Sequence, residues 1–201
     1  MKSIKKICCV LLIIICLTGC KSLFTYENEK VETLKGKYHV EMKIKDYGIM
    51  EMELDADIAP ITVTNFMNLV REKFYDGNRI HRVYKDFVIQ GGASNEGNNN
   101  TIKGEFDANG VNNSISHDRG VVSMARAGDM TSGYDTASTQ FFIVLKNSPS
   151  LDHYYAAFGK VTKGMEVADK IASKVTQVDN NGMVIDEDYM PIIEYIKEIE
   201  K

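Results

Sequence analysis

Side chains able to do acid, base, nucleophilic or metal chemistry are few in this sequence, and their spacing fits none of the conventional mechanisms. The four histidines, His39, His81, His117 and His153, show no metal-ligand spacing, and no HExxH, CxxC or GxSxG motif is present. His117 and Asp118 are adjacent, so on an extended segment they point to opposite faces, and the pair reads as solvated loop rather than as a general base with its orienting acid. The Asn- and Gly-rich stretch Gly91 to Gly104 lacks the Gly-Lys-Ser/Thr ending of a phosphate loop and reads as a surface loop. No metal, no cofactor and no covalent intermediate are expected.

The elements that must position any active group are clearer. Tyr38, Val40, Met42 and Ile44 alternate with His39, Glu41, Lys43 and Lys45, the period of a strand with one buried face; Met50, Met52 and Leu54 repeat it. Asp46-Tyr47-Gly48 between them predicts a hairpin. From Pro60, the residues Val63, Phe66, Met67, Val70 and Phe74 recur at helical spacing until Asp76-Gly77, predicting an amphipathic helix packed on a sheet. Apolar runs at Phe87 to Ile89, Val121 to Ala125 and Phe141 to Leu145 read as strands. A second helix is expected from about Met165 to Val175, and Ile192 to Ile199 closes the chain as a strand. The fold class is therefore mainly β, a barrel capped by two helices.

Four ordered blocks carry a family resemblance. Tyr75-Asp76-Gly77-Asn78-Arg79-Ile80-His81-Arg82-Val83 continues into Phe87-Val88-Ile89-Gln90-Gly91-Gly92. Gly120-Val121-Val122-Ser123-Met124-Ala125-Arg126, Ser138-Thr139-Gln140-Phe141-Phe142-Ile143, and Leu151-Asp152 with Phe158-Gly159-Lys160-Val161 follow in order. Together they resemble the cyclophilins over about residues 38 to 199. The resemblance implies a closed eight-stranded antiparallel barrel with two helical caps and catalysis of cis/trans isomerisation before proline. By motif position, Arg82 resembles the catalytic arginine, Phe87, Val88, Phe142, Leu151 and Tyr155 the proline pocket, Gln90 and Gln140 its polar rim, and Ala125 with the Arg126 backbone the peptide-binding edge. On residue type alone, Phe87, Val88, Phe142 and Leu151 fit a core equally well, and Arg82 fits a surface ion pair. The chain departs from the family at three places: Ser150 replaces a tryptophan that binds cyclosporin in many eukaryotic members, Tyr155 a pocket histidine and Arg126 an asparagine. The loop Asp129 to Ser138 is also longer than the compact eukaryotic form.

The implied chemistry explains why nucleophile and metal are dispensable. Amide resonance opposes rotation with a barrier of ~18 to 20 kcal/mol. As the bond twists, the prolyl nitrogen regains its lone pair, so a guanidinium aimed at it binds the transition state better than either planar isomer. An apolar pocket adds to this by removing water from the more polar planar form.

The N-terminus carries a different signal. Lys2, Lys5 and Lys6 precede the apolar run Ile7 to Leu17, too short for the ~20 residues of a bilayer-spanning helix, and Leu17-Thr18-Gly19-Cys20 looks like a lipobox. Residues 1–19 are read as a lipoprotein signal peptide, Cys20 as the lipid attachment site, residues 20–36 as a tether, and 37–201 as one isomerase domain. Cys8, Cys9, Cys16 and Cys20 account for all the cysteines, so no disulfide is expected in that domain.

The chain of 201 residues, 44% hydrophobic and 26% charged, has the balance of a globular protein. Its net charge of −4 argues against nucleic acid as a partner, and loss of the three leader lysines makes the remainder more acidic still. The expected partners are proline-containing polypeptides and, through lipid on Cys20, a bacterial membrane on its extracytoplasmic side; a monomer is expected. A membrane-tethered isomerase for exported proteins is favoured over a proline-peptide binding module or holdase, which would not need the arginine, and over an adhesin, which would show repeats or a stalk.

Overall fold

A computed structural model describes residues 32–94 and 100–201. The expected signal peptide, the Cys20 lipid site and most of the expected tether lie outside the described residues. Strands β1 (Lys37–Ile44) and β2 (Gly48–Asp55) pair antiparallel, with Val40 opposite Met52 and Met42 opposite Met50. That register puts Val40, Met42, Ile44, Met50, Met52 and Leu54 on one fully buried face. Asp46 turns the hairpin in the left-handed conformation, φ 64°. The last residues of the expected tether are hydrogen-bonded to this body: Leu34 N–H donates to Thr64 Oγ1 and Gly36 N–H to Asp57 Oδ1, each at 2.8 Å.

Helix α1 (Pro60–Arg71) buries Val63, Phe66, Met67 and Val70. It stops short of the apolar period because Lys73 is left-handed (φ 58°) and the Phe74 N–H reaches back to the Leu69 carbonyl, wrapping the helix end. Ala59 at its N-cap has no side chain to satisfy the first N–H groups. Glu105, 2% exposed, supplies the cap from a distant loop, Oε1 accepting from Ile61 N–H at 3.0 Å and Oε2 from Thr62 N–H at 2.8 Å.

The remaining strands are β3 (Ile80–Tyr84), β4 (Val88–Gly91), β5 (Val121–Met124), β6 (Phe141–Val144), β7 (Ala157–Lys163) and β8 (Ile193–Glu198), with helix α2 (Met165–Lys174) between the last two. All eight form one antiparallel sheet in the order β3-β4-β6-β5-β7-β2-β1-β8. It is a curled half-barrel: the end strands share no ladder, and the bridge Arg79–Ile192 spans the seam just before each begins. β7 joins the β1–β2 hairpin to the rest, pairing with β2 on one side and β5 on the other. At Gly159 a Cβ would lie 2.5 Å from the Glu53 carbonyl oxygen, so the close approach of β7 to β2 requires glycine.

Two strands lack the periodicity that would announce them. In β3 a bulge between Ile80 and Arg82 breaks the alternation, and β7 has three buried residues followed by mostly exposed ones.

Alternation in the central strands separates core from site. Ile89, Val122, Met124, Phe141 and Ile143 enter the main core, where Phe141 and Phe158 pack on Phe66 of α1 with ring centroids 5.5 and 5.1 Å apart. Their neighbours Val88, Val121, Phe142 and Val144 form a second cluster on the opposite face with Leu151 and Ala157.

Candidate active site

On that opposite face, strand register aligns one row across four strands. Arg82 of β3 is paired with Gln90 of β4, Gln90 with Phe142 of β6, and Phe142 with Ser123 of β5. Residues directly paired across strands share a face, so the row is a product of register rather than of proximity in sequence. Above it lies a concavity of about 360 Å³ lined by Arg82, Phe87, Val88, Gln90, Ala125, Arg126, Phe142, Leu151 and Tyr155. Phe142 is its floor, 4% exposed, with the Tyr155 ring edge-on at 5.7 Å. Gln140 lies next door, lining an adjoining hollow with Gln90 and Ala125.

The guanidinium at the rim is held from several sides. Arg82 Nε donates to the Asn181 carbonyl at 2.8 Å and Nη1 to Gln90 Oε1 at 3.2 Å. Gln90 Nε2 in turn donates to Gln140 Oε1 at 2.9 Å. The rings of Tyr84 and Phe87 lie 5.8 and 5.9 Å from the guanidinium carbon. Arg82 forms no salt bridge among the described residues, so its positive charge is not neutralised by a carboxylate and remains available to a ligand.

Beneath Phe142 the structure corrects one sequence expectation. His117 is not part of a solvated pair with Asp118: it is 2% exposed and its partner is Asp152. Asp152 Oδ1 accepts from the His117 backbone N–H at 2.7 Å and lies 2.9 Å from Nδ1. A carboxylate can only accept, which places the proton on Nδ1 and leaves Nε2 to accept from Ser123 Oγ at 3.1 Å. The imidazole stacks on Phe142, centroids 6.1 Å apart at 20°. Burial holds His117 below the ordinary histidine value although Asp152 pulls the other way. This order of Asp, His and Ser has the connectivity of a nucleophilic triad, but Ser123 is fully buried, so its hydroxyl meets no substrate. The network supports the pocket floor instead.

The wall around Tyr155 is organised by Arg126. Nε donates to the Tyr154 carbonyl at 3.0 Å and Nη1 to the Ser132 carbonyl at 2.7 Å, while the Tyr155 ring lies 4.8 Å from the guanidinium carbon. It thereby ties the long 129–138 loop to the pocket residue Tyr155. β5 ends at Met124, and the Ala125 N–H donates to the Gln140 carbonyl at 2.9 Å, so the backbone runs past the concavity outside the β5 ladder. Ser150 is exposed in the turn that carries Leu151.

Sequence reasoning did not find the Asn181 carbonyl or the true partner of His117. The first is a backbone group and leaves no residue-type signature. Asp152 is distant in sequence from His117, and only folding brings them together. Among the described residues no group of three His, Cys, Asp or Glu side chains could hold a metal ion, and no helix is long and apolar enough to cross a membrane.

Residues 39–194 match the family model "Cyclophilin type peptidyl-prolyl cis-trans isomerase/CLD". The chain is 43% identical over 140 residues to peptidyl-prolyl cis-trans isomerase A of Dickeya dadantii, covering 65% of this chain and 69% of that one. It is 40% identical over 134 residues to peptidyl-prolyl cis-trans isomerase B of Bacillus subtilis, covering 65% and 87%. Among solved structures, a cyclophilin type isomerase of Cryptosporidium parvum superposes with a TM-score of 0.67 at 26% identity, over 83% of this chain and 99% of that one. The same protein solved in the presence of the dipeptide Ala-Pro gives 0.65, over 81% and 99%.

Proposed function

Because the chain belongs to the cyclophilin-type peptidyl-prolyl cis-trans isomerases, we propose that the row from Arg82 to Phe142 is its active site. We further propose that it works on exported polypeptides, held at the outer surface of a bacterial membrane by lipid on Cys20. The observation that carries the site is a guanidinium fixed by Asn181 and Gln90 at the rim of an apolar concavity floored by Phe142.

The chemistry follows from that pairing. A prolyl ring seats against Phe142, Leu151, Val88 and Tyr155, with Phe87 at the Arg82 end. The peptide backbone on its N-terminal side runs along Ala125 and Arg126. As the amide twists, Arg82 donates to the pyramidal prolyl nitrogen, an acceptor that exists only near the transition state. Gln90 has given its oxygen to Arg82 and one N–H to Gln140, so its remaining N–H can accompany the rotating carbonyl oxygen. A pure peptide-binding module needs the apolar floor but no oriented guanidinium, so the restraint on Arg82 favours turnover. Lipidation of Cys20 would confine this activity near the bilayer, two or more acyl chains sufficing without a transmembrane helix.

Exchange NMR on a proline peptide and a proline-limited refolding assay, both with the full chain, test the activity. Fractionation of cells expressing the chain tests the location, and recovery in the soluble cytoplasmic fraction would overturn that part.

A further inference from the structure

Residues 178–184 contain no group that lines the concavity, yet two of them meet Arg82, the Asn181 carbonyl through Nε and Met183 through a backbone bridge. The bridge Val178–Val184 closes a tight turn there. Asp179 Oδ1 accepts from the N–H groups of Asn181 at 2.8 Å and Met183 at 2.9 Å, and the Asp179 backbone exchanges hydrogen bonds with Met183 and Gly182. The turn docks on β3: the Gly182 carbonyl accepts from Val83 N–H at 2.7 Å, Val184 N–H donates to the His81 carbonyl at 2.9 Å, and Met183 pairs with Arg82. Gly182 is left-handed, φ 79°, and a Cβ there would lie 2.9 Å from both the Val83 oxygen and Tyr84 Cβ. The outcome is one carbonyl, that of Asn181, aimed at Arg82 Nε.

We propose that this turn is a positioning device for Arg82, and that Asp179 is a positioning residue acting through the Asn181 carbonyl. The inference rests on the reading of Arg82 as the donor to the prolyl nitrogen. An arginine on an end strand has many rotamers, and only those that aim the remaining guanidinium donors over Phe142 serve the transition state. Asn181 holds Nε and Gln90 holds Nη1, so two hydrogen bonds from one planar group restrain the orientation of the fork. Asp179 fixes Asn181 because its carboxylate accepts from the N–H groups of Asn181 and Met183, on either side of Gly182, whose own N–H goes to the Asp179 carbonyl.

The test is a set of variants of the full chain assayed by exchange NMR. Asp179→Ala should lower kcat by about tenfold with KM within twofold, since binding of the planar ground state does not use the fork. Asp179→Asn, which keeps an acceptor oxygen, should restore the rate to within twofold of the parent. In an Arg82→Ala background, Asp179→Ala should change nothing further. Full turnover in Asp179→Ala, or an equal loss with Arg82 already removed, would overturn the proposal. Full turnover in Arg82→Ala alone would overturn the underlying reading of Arg82 and is a separate result. Relaxation of the Arg82 Nε–H in the unmodified chain gives a measurement independent of any variant: a rigid Nε–H is expected, and one as mobile as an exposed arginine would refute the device.

Discussion

Replacing Arg82 by alanine removes one charged donor from the rim of the concavity and leaves the core untouched. The side chain is half-buried, and its partners are the Asn181 carbonyl and Gln90 rather than a buried carboxylate. Its loss strands no charge, and the melting temperature should stay within a few degrees of the parent. The transition state loses one charge-assisted hydrogen bond, about 1.5 to 3 kcal/mol, or roughly 10- to 150-fold in kcat/KM. Arg82→Lys should fall nearly as far, because a single ammonium cannot reach Asn181, Gln90 and the prolyl nitrogen with the geometry of a planar fork. Exchange NMR on a proline peptide reads the rate and thermal unfolding checks the fold. A folded Arg82→Ala variant turning over within twofold of the parent would refute the assignment of the donor.

Turnover per folded molecule should be flat from about pH 7 to 9, since arginine does not titrate there and no general base is invoked. Stability should behave differently: burial lowers the folded-state pKa of both His117 and His81 from 6.5, so below that pH the unfolded chain takes up protons the folded one refuses. Stability should therefore drop as pH falls below about 6.5 and level off once the folded-state pKa is passed, and His117→Gln should flatten part of this slope in denaturant titrations. Glu105→Ala removes the cap of α1 and should cost about 2 to 4 kcal/mol in urea unfolding, well above a surface substitution. Cys20→Ala should abolish incorporation of labelled fatty acid and release the protein from the membrane fraction. Ser150→Trp should strengthen cyclosporin inhibition by about 10- to 150-fold, the worth of one buried aromatic contact of roughly 1.5 to 3 kcal/mol, with peptide turnover within a few-fold; an unmodified chain that already binds tightly would show another side chain filling that surface.

What the sequence reveals and hides follows from the range of each interaction. The β1–β2 hairpin is legible because its alternation is uninterrupted and its turn is local. The residues of the concavity are legible through family resemblance, since they are side chains in fixed blocks. β3 and β7 escape a periodicity search because a bulge and a one-sided burial pattern remove the period. The end of α1 is misplaced because Phe74 keeps the helical spacing while Lys73 leaves the helix. His117 is misread because its sequence neighbour Asp118 looks like a partner and the real one, Asp152, arrives from another loop. The Asn-Gly pair at 181–182, flanked by Val178 and Val184, is a turn signal, but nothing in its residue types says that a carbonyl there faces Arg82.

The place of β7 in the sheet limits the order in which this molecule can assemble as it is synthesised. Until residues 157–163 emerge, the sheet is in two parts that share no ladder, the β1–β2 hairpin and the β3-β4-β6-β5 group. The second piece already contains the whole row from Arg82 to Ser123, while the turn at 178–184 that holds Arg82 is still to come. The late strand must slide between two waiting edges, and Gly159 gives it a smooth flank where β2 comes closest. Pairings that join residues more than a hundred positions apart, such as Glu53 with Lys160 and Val40 with Glu198, make this a slow, high-contact-order closure. A nascent chain therefore keeps unpaired strand edges until nearly its last segment is released, and the carbonyl that meets Arg82 arrives only with residue 181.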